Sequence, residues 1–314
     1  MALIGVLYGM EESFPPALVD RINSRNVPDV RAEHLKVGAI VMAEPSRYSV
    51  IIDRISHDIP FYRAFLKNAV LTGTQVINNP FWWSADDKFF NYSLAQKLGV
   101  AVPRTVLLPH KDHPPGTTDR SMRNLQFPLD WAGIFEYVGF PAFLKPHDGG
   151  GWKDVYKVDH PDEFFAAYHQ SRDLCMTLQA AVNFQEYFRC YVVGQSSVHI
   201  MRYDPSQPFH QRYVAGNPPP ERGLEERITR DALLLCRALG YDLNTVEFAV
   251  EDGVPYAIDF MNPAPDAGLE SVGPENFDWI LNAVSDLAIR RAQTERPVPI
   301  LNWQAFLRPA EAAR

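Results

Sequence analysis

Cysteine is scarce. The 314 residues contain three, Cys175, Cys190 and Cys236, scattered in apolar surroundings without metal-ligand spacing. That excludes a disulfide scaffold and a thiolate metal centre, and it sets the expectation of a reducing, cytoplasmic setting. Long apolar runs are also missing: nothing approaches the roughly 18 uninterrupted apolar residues of a membrane span. The opening segment Ala2 to Tyr8 is apolar, but it lacks a basic flank and is followed by Glu11 and Glu12, so it reads as a first strand rather than a signal peptide. Basic clusters are absent too. Thirty Lys and Arg against 38 Asp and Glu leave a net charge of −8, which excludes a nucleic-acid backbone as the main partner. There is no Gly-x-x-x-x-Gly-Lys-Ser/Thr loop and no Gly-x-Gly-x-x-Gly, which removes a P-loop enzyme and the usual dinucleotide fold. Internal repeats and low-complexity tracts are not found.

The 46% hydrophobic and 22% charged composition is that of a globular protein, and the length suits two or three compact units. Strand-like runs Ala2–Leu7, Val50–Asp53 and Gln75–Ile77 alternate with amphipathic stretches Pro16–Asn23 and Phe61–Leu71, which predicts a small α/β unit over residues 1–80 with a mainly parallel sheet. Ser84 is the expected N-cap of a helix running to Leu98 and stopped by Gly99, ahead of an extended segment Val102–Leu108. Pro109 to Phe127 reads as a long loop. A second unit, 81–182, then carries a helix near Leu129–Tyr137, strands Ala142–Lys145 and Val155–Val158 around a glycine loop, and a helix Asp162–Gln170. The third, 183–314, carries strands Phe184–Tyr187, Arg189–Val193, Ser197–Arg202 and Arg212–Ala215. A helix from Leu224 to Leu239 follows, then a hairpin of Thr245–Val250 and Pro255–Phe260 around Asp252-Gly253, and a terminal helix Phe277–Arg291 expected to pack back as a buttress.

Four constellations could carry chemistry. Lys145 ends an apolar strand and leads into Gly149, Gly150 and Gly151, whose backbone N–H groups can close around a phosphate with no Cβ in the way. The same residues fit a hairpin tip with a solvated lysine, and the glycine run alone does not separate the two. Glu247 and Asp259 fall on neighbouring antiparallel strands, each among apolar residues, with Asn262 close by. Two acids buried together repel unless they share a cation, and Mg²⁺ suits one or two carboxylates plus an amide oxygen. The alternative sends Glu247 to solvent and leaves Asp259 to cap a turn. Lys88, in a first helical turn, sits badly with the helix dipole unless an anion binds there or Asp86 and Asp87 balance it. Finally, the strand Gln185-Glu186-Tyr187, passing from one unit to the next, could present backbone groups to an adenine edge.

The order of these features decides between the readings. Lys88 with Gly99 to Thr105, then Phe140 to Gly151, then Gln185-Glu186-Tyr187, then Glu247 with Asp259 and Asn262, resembles the ATP-grasp superfamily across residues 75 to 265. Within it, Gln185-Glu-Tyr followed by Arg189-Cys-Tyr-Val-Val-Gly194 looks like the alpha-L-glutamate ligases that modify ribosomal proteins, in the branch that also holds glutathione synthetase. The resemblance implies an α+β fold in which two lobes enclose ATP behind the small α/β domain. It implies that Lys88 and Lys145 contact ATP phosphates, that Gly149 to Gly151 cover them, and that Gln185, Glu186 and Tyr187 line the adenine pocket. Glu247, Asp259 and Asn262 would hold Mg²⁺ or Mn²⁺, and Arg202 and Arg212 would meet the transferred phosphoryl group or a carboxylate. Two departures stand out. No acid follows Gln185-Glu-Tyr to receive the ribose hydroxyls, and Asp259-Phe-Met-Asn262 is one residue longer than the usual acid-x-Asn, so a bulge is required for both side chains to reach one ion.

The implied activity is an ATP-dependent ligase forming a carbon–nitrogen bond, or joining a carboxylate to a thiol, through an acyl phosphate. A small-molecule kinase and a non-catalytic ATP-binding protein are the alternatives. The partners would be a small-molecule or peptide carboxylate and an amine acceptor, without nucleic acid or membrane. Arg54, His57 and Arg63 are candidate acceptor contacts from the N-terminal domain, but base rates for charged side chains favour reading them as surface residues, and His110 and His113 read as solvated rather than metal ligands, since no second pair accompanies them. The sequence does not set the oligomeric state.

Overall fold

The computed structural model describes residues 1–148, 152–208, 211–214, 216 and 218–294. The chain builds three four-stranded sheets in succession. In the first, β1 (Ala2–Leu7), β2 (Val30–His34), β3 (Val50–Asp53) and β4 (Gln75–Ile77) run parallel in the order β2-β1-β3-β4. Period two divides its side chains: Ile4, Val6, Val50 and Ile52 face α1 (Phe14–Ser24), while Leu7, Ile51 and Val76 face α2 (Pro60–Leu71). All three strands expected here are present, and β2 is an addition. Its Val-Arg-Ala-Glu-His sequence buries only Ala32 fully, so an edge strand of this kind leaves little apolar alternation to read.

Helix α3 (Pro80–Trp83) and helix α4 (Lys88–Lys97) follow. Ser84 is not the N-cap of the latter but the C-cap of α3. Asp87 caps α4 instead, its carboxylate accepting from the Phe90 N–H at 2.8 Å. The second sheet contains β5 (Thr105–Leu108), then, beyond helix α5 (Trp131–Val138), the strands β6 (Ala142–Pro146) and β7 (Tyr156–Val158), and, after helix α6 (Pro161–Gln170), β8 (Met176–Ala180). All its pairings are antiparallel, in the order β5-β8-β6-β7. Both helices lie on one face, where Trp131, Phe135, Phe164 and Tyr168 pack ring against ring. The central strand β8 was not expected.

The third sheet is antiparallel, with β9 (Glu186–Val193), β10 (Ser197–Arg202), β11 (Leu243–Glu251) and β12 (Val254–Asp259) in the order β10-β9-β11-β12. The two short strands expected around Phe188 are one strand, β9. Of the expected strand Arg212–Ala215, a single bridge joins Tyr213 to Tyr203, and Ala215 lies outside the described residues. Helix α7 (Arg222–Leu239) ends on Gly240 at φ 79°, and the β11–β12 turn places Asp252 and Gly253 at φ 50° and 73°, the positive angles a two-residue hairpin needs. One face of this sheet, carrying Phe188, Cys190, Val246, Phe248 and Ala257, packs on α7 and also on Tyr92 and Ala95 of α4. After the short α8 (Leu269–Val272), the long α9 (Pro274–Gln293) returns to the first sheet, as the buttress reading expected. Its Ile280, Val284, Leu287 and Ala288 share one core with Ile4, Val6, Phe14, Tyr191 and Leu243.

Candidate active site

A cleft of about 310 Å³ opens between the second and third sheets. Its position follows from strand parity. On β9, Phe188 and Cys190 enter the core, so Tyr187 and Arg189 point the other way; on β11, Val246 and Phe248 are buried while Glu247 and Ala249 line the cleft. Glu247 is the register partner of Asp259, and a bulge falls beside it: Glu247 pairs with Asp259 but Phe248 with Ala257, so Ile258 is the extra residue. Ile258 and Asp259 both reach the cleft. The bulge therefore precedes Asp259 rather than separating it from Asn262. Strand β12 ends at Asp259, and Asn262 lines the cleft from the following turn, with its amide donating to the Thr245 carbonyl at 3.0 Å.

Lys88 Nζ lies 3.7 Å from an Asp259 oxygen and its side chain is 11% exposed. It is thus balanced by Asp259 of β12, not by its neighbours Asp86 and Asp87. From the second sheet, Lys145 is buried, donating to the Tyr92 hydroxyl at 2.7 Å and to Gln179 Oε1 at 2.8 Å. Burial lowers its pKa to about 8, with Asp259 and Glu247 pulling it back up. Glu247 accepts from the Tyr187 hydroxyl at 2.6 Å and lies 3.6 Å from Arg189 Nε. Burial holds its carboxyl above the ordinary range against the opposing pull of Arg189, and nearby Asp259 pushes in the same direction as burial.

Of the remaining predicted residues, Arg212 lines the cleft and donates to the Gln207 carbonyl at 2.9 Å and the Tyr203 hydroxyl at 3.3 Å. Three are not among the lining residues. Glu186 lies on the other face of β9 and pairs with Arg202 at 2.7 Å; Arg202 also stacks over the Phe188 ring. Gln185 turns to the tip of the β11–β12 hairpin, where its Oε1 accepts from the Asp252 N–H at 3.0 Å. Gly149, Gly150 and Gly151 lie outside the described residues. Of the side chains read as surface, Arg54 is 3% exposed and is ion-paired to Glu11 while donating to the Pro265 carbonyl at 2.6 Å.

Sequence reasoning gave no role to Tyr92, Gln179, Arg189 or Asp266. The arginine was within reach: it stands two residues after Tyr187 on a strand and must share its face. It is buried, with its two terminal nitrogens donating to the Tyr213 hydroxyl at 3.1 Å and the Thr245 hydroxyl at 3.3 Å. At the opposite end the lining is apolar, with Phe143, Val182, Phe184 and Ala249. The arrangement can therefore take an amphipathic anion, its flat apolar part among these side chains and its charges among Lys88, Lys145, Arg189 and Arg212. Glu247 and Asp259 with the Asn262 amide make an oxygen donor set suited to a hard divalent ion that keeps waters and ligand phosphates. The Glu247 and Asp259 carboxylates, half-buried at 18% and 32% exposure and with the Asp259 charge pressing on Glu247, fit such an ion. No group of three or more His, Cys, Asp or Glu side chains gathers for a metal among the described residues.

No model of a known protein family matches the chain. An alignment 128 residues long that covers 36% of this chain is 31% identical to pyruvate carboxylase 1 of Caenorhabditis elegans, and it spans 11% of that protein's length. Solved structures match far more of the chain. The D-alanine–D-alanine ligase of Bacillus anthracis, complexed with ATP, superposes with a TM-score of 0.63 at 16% identity, covering 93% of this chain and 99% of the other. The VanG D-Ala:D-Ser ligase of Enterococcus faecalis gives 0.64 at 16%, with 93% and 99% covered. The ATP-grasp ligase PsnB, complexed with a minimal precursor, Mg and ADP, gives 0.62 at 13%, with 93% and 98% covered.

The chain has the ATP-grasp fold.

Two lobes, built on the second and third sheets, flank the cleft, and the first sheet precedes them in sequence. Helix α4 brings Lys88 to the cleft while packing in the core of the third sheet, so a helix that precedes the second sheet in sequence belongs by its packing to the third. No helix among the described residues is long and apolar enough to cross a membrane.

Proposed function

We propose that this chain is an ATP-dependent ligase that activates a carboxylate as an acyl phosphate and joins it to an amine. The observation that carries the reading is that Lys88, Lys145, Glu247 and Asp259, drawn from three separate stretches of sequence, line one cleft between two sheets. Lys88 and Lys145 are assigned to the ATP phosphates, with Gly149, Gly150 and Gly151 covering them. The apolar end beside Tyr187 is assigned to adenine, and Gln185 and Glu186 contribute there through backbone alone. Glu247, Asp259 and Asn262 are assigned to Mg²⁺, whose charge, when bound, offsets that of the phosphate oxygens.

The γ-phosphoryl group passes to a substrate carboxylate oxygen as the bond to the β,γ-bridging oxygen breaks, leaving ADP. An amine nitrogen then attacks the acyl carbon, phosphate departs, and the amine gives up a proton. Lys145 and Arg212 spread the developing charge, and no protein nucleophile is required. Arg202, committed to Glu186, is assigned to strand support rather than substrate. The carboxylate belongs to a small molecule or a peptide, and the acceptor is an amine. The glutamate-ligase-like run Gln185 to Gly194 favours an amino-acid amine, and PsnB, crystallised with a precursor peptide, supports the peptide option.

Mg-ATP binding and ADP formation measured across a panel of amino acids and small carboxylic acids test the proposal. The expected result is ADP release coupled to an amide product, lost in Lys145→Ala. ADP with a phosphorylated product and no ligation assigns a kinase, and tight binding without turnover assigns a nucleotide-binding protein. Absence of Mg-ATP binding by the unaltered chain removes the reading altogether.

A further inference from the structure

Lys88 and Tyr92 stand four residues apart on α4 and so share one face of the helix. The tyrosine ring is 4% exposed and meets Phe260 edge-on, with centroids 5.7 Å apart. Its hydroxyl does two things at once: it accepts from Lys145 Nζ at 2.7 Å and donates to the Ile258 carbonyl at 2.6 Å, at the bulge residue that precedes Asp259. On the other side of the same ammonium stands Gln179, 3% exposed, accepting through Oε1 at 2.8 Å. Its amide cannot be turned around freely, because Nε2 donates to Thr105 Oγ1 at 2.9 Å, and that hydroxyl donates to the Pro103 carbonyl at 2.8 Å.

An ammonium has three N–H groups. Among the described residues two of them are held, one from each lobe's core, and the third is left for the cleft that Lys145 lines. We propose that Tyr92 and Gln179 are positioning residues that aim the remaining Lys145 N–H at a nucleotide phosphate, with Tyr92 also tying that lysine to the carboxylate strand β12 across the two lobes. This rests on the nucleotide reading above. The direction of the tyrosine's two bonds is unambiguous: burial keeps its phenol well above the ordinary range, so the hydroxyl holds its proton for the carbonyl and receives the lysine's. A buried lysine without these acceptors would lose favourable contacts to its charged form and swing on four rotatable bonds. Lys145 and Asp259 would then no longer be registered against each other.

The test uses the full chain with Tyr92→Phe, Gln179→Leu and Lys145→Ala. Dissociation constants are measured by titration calorimetry for Mg-ATP and by NMR for adenosine, beside thermal melts. Tyr92→Phe keeps the ring on Phe260, and Gln179→Leu approaches the lysine from the opposite side should the first variant fail to fold. Each is expected to raise the Mg-ATP Kd about tenfold, the loss of a charge-assisted hydrogen bond, and to leave the adenosine Kd within twofold, since adenosine carries no phosphate. A purely structural role would weaken both ligands together or neither, and either pattern overturns the inference. So does wild-type Mg-ATP affinity in both variants while Lys145→Ala loses it, a result that leaves the nucleotide reading standing. Failure of the unaltered chain to bind Mg-ATP overturns that reading and this inference with it.

Discussion

Burial holds the Lys145 ammonium at about 8 against the pull of Asp259 and Glu247, which places the titration of the proposed phosphate contact inside an accessible pH range. The sign follows directly. Below that value the side chain is a cation with three donors, and above it the charge and one donor are gone. A bound triphosphate favours the charged form, so the complex titrates higher than the free protein. The Mg-ATP Kd is therefore expected to be level up to about pH 8 and then to rise, by up to tenfold per pH unit, with proton uptake on binding visible as a buffer-dependent enthalpy above pH 8. A level profile to pH 9.5 would remove Lys145 from the phosphates. Glu247 yields a second expectation. Glu247→Gln keeps an acceptor for the Tyr187 hydroxyl but deletes the charge that a divalent ion would neutralise, so the Mg²⁺ concentration needed for half-maximal ATP binding should rise at least about tenfold. An unchanged Mg²⁺ requirement would place the ion elsewhere. Lys145, Glu247 and Asp259 were legible because each interrupts an apolar run where a charge needs a reason, and Lys88 because it opens a helix whose dipole disfavours a cation, whereas Arg189 and Asp266 were passed over. Tyr92 and Gln179 were not, since a tyrosine in an amphipathic helix and a glutamine in a five-residue strand look like ordinary packing. Gln185 and Glu186 came from the motif, while strand parity, applied to the same residues, sends Glu186 to the far face with Phe188.

At the scale of the element, the hidden strand and the misplaced cap have separate origins. Strand β8 alternates Met176, Leu178 and Ala180 inward with Thr177 and Gln179 on the other side, where Thr177 donates to the Lys145 carbonyl and Gln179 accepts from its ammonium. Polar residues serving the lysine made a central strand look like a linker. The stretch from Ser84 to Asp87 contains three residues able to cap a helix, and only the fold shows that Pro80–Trp83 closes its own turn before Asp87 starts the next. Asp86, left between them, is consequential. Among the described residues its Oδ1 is buried without a hydrogen-bond partner, its Oδ2 accepts from the Tyr241 hydroxyl at 3.2 Å, and burial raises its pKa to about 6. Between the ordinary aspartate value and 6 the folded chain holds a proton that the unfolded chain has lost. Stability contributed by this group therefore falls as pH rises through that window and stays reduced above it. Asp86→Asn keeps the acceptor for Tyr241 without the charge. It should stabilise the protein by roughly 1–2 kcal/mol at pH 8 and by about half as much at pH 5, seen as a shift of about 2–4 °C in the melting temperature at the higher pH and a smaller one at the lower. Equal shifts at both pH values would mean that the gain does not come from the buried charge.

For the whole molecule, the succession of three sheets could be read from the chain, but their union could not. An amphipathic helix such as α9 announces that one face is covered and says nothing about which element covers it. In the fold that face is shared: Ile4, Val6 and Ile52 of the first sheet and Tyr191, Met201 and Leu243 of the third lie in one core with α9. Polar stitching follows the seam. Asn78, 1% exposed at the end of β4, donates to the Leu243 and Pro263 carbonyls at 2.6 and 2.8 Å and accepts from the Asp242 and Leu243 N–H groups at 2.8 Å each. Arg291 reaches Asp242 at 2.8 Å from α9. The first eighty residues therefore lack a complete core of their own, because one face of their sheet is finished by a helix nearly two hundred residues later. Two outcomes are expected. Residues 1–80 expressed alone should show no cooperative melt, because the surface that α9 covers is left to water. In the full chain, Asn78→Ala leaves up to four buried backbone groups without partners and should cost roughly 2–5 kcal/mol while keeping a single unfolding transition, since the two regions share the core that melts. A variant that split the transition into two would show the first sheet folding on its own, with Asn78 fastening two finished domains rather than completing one.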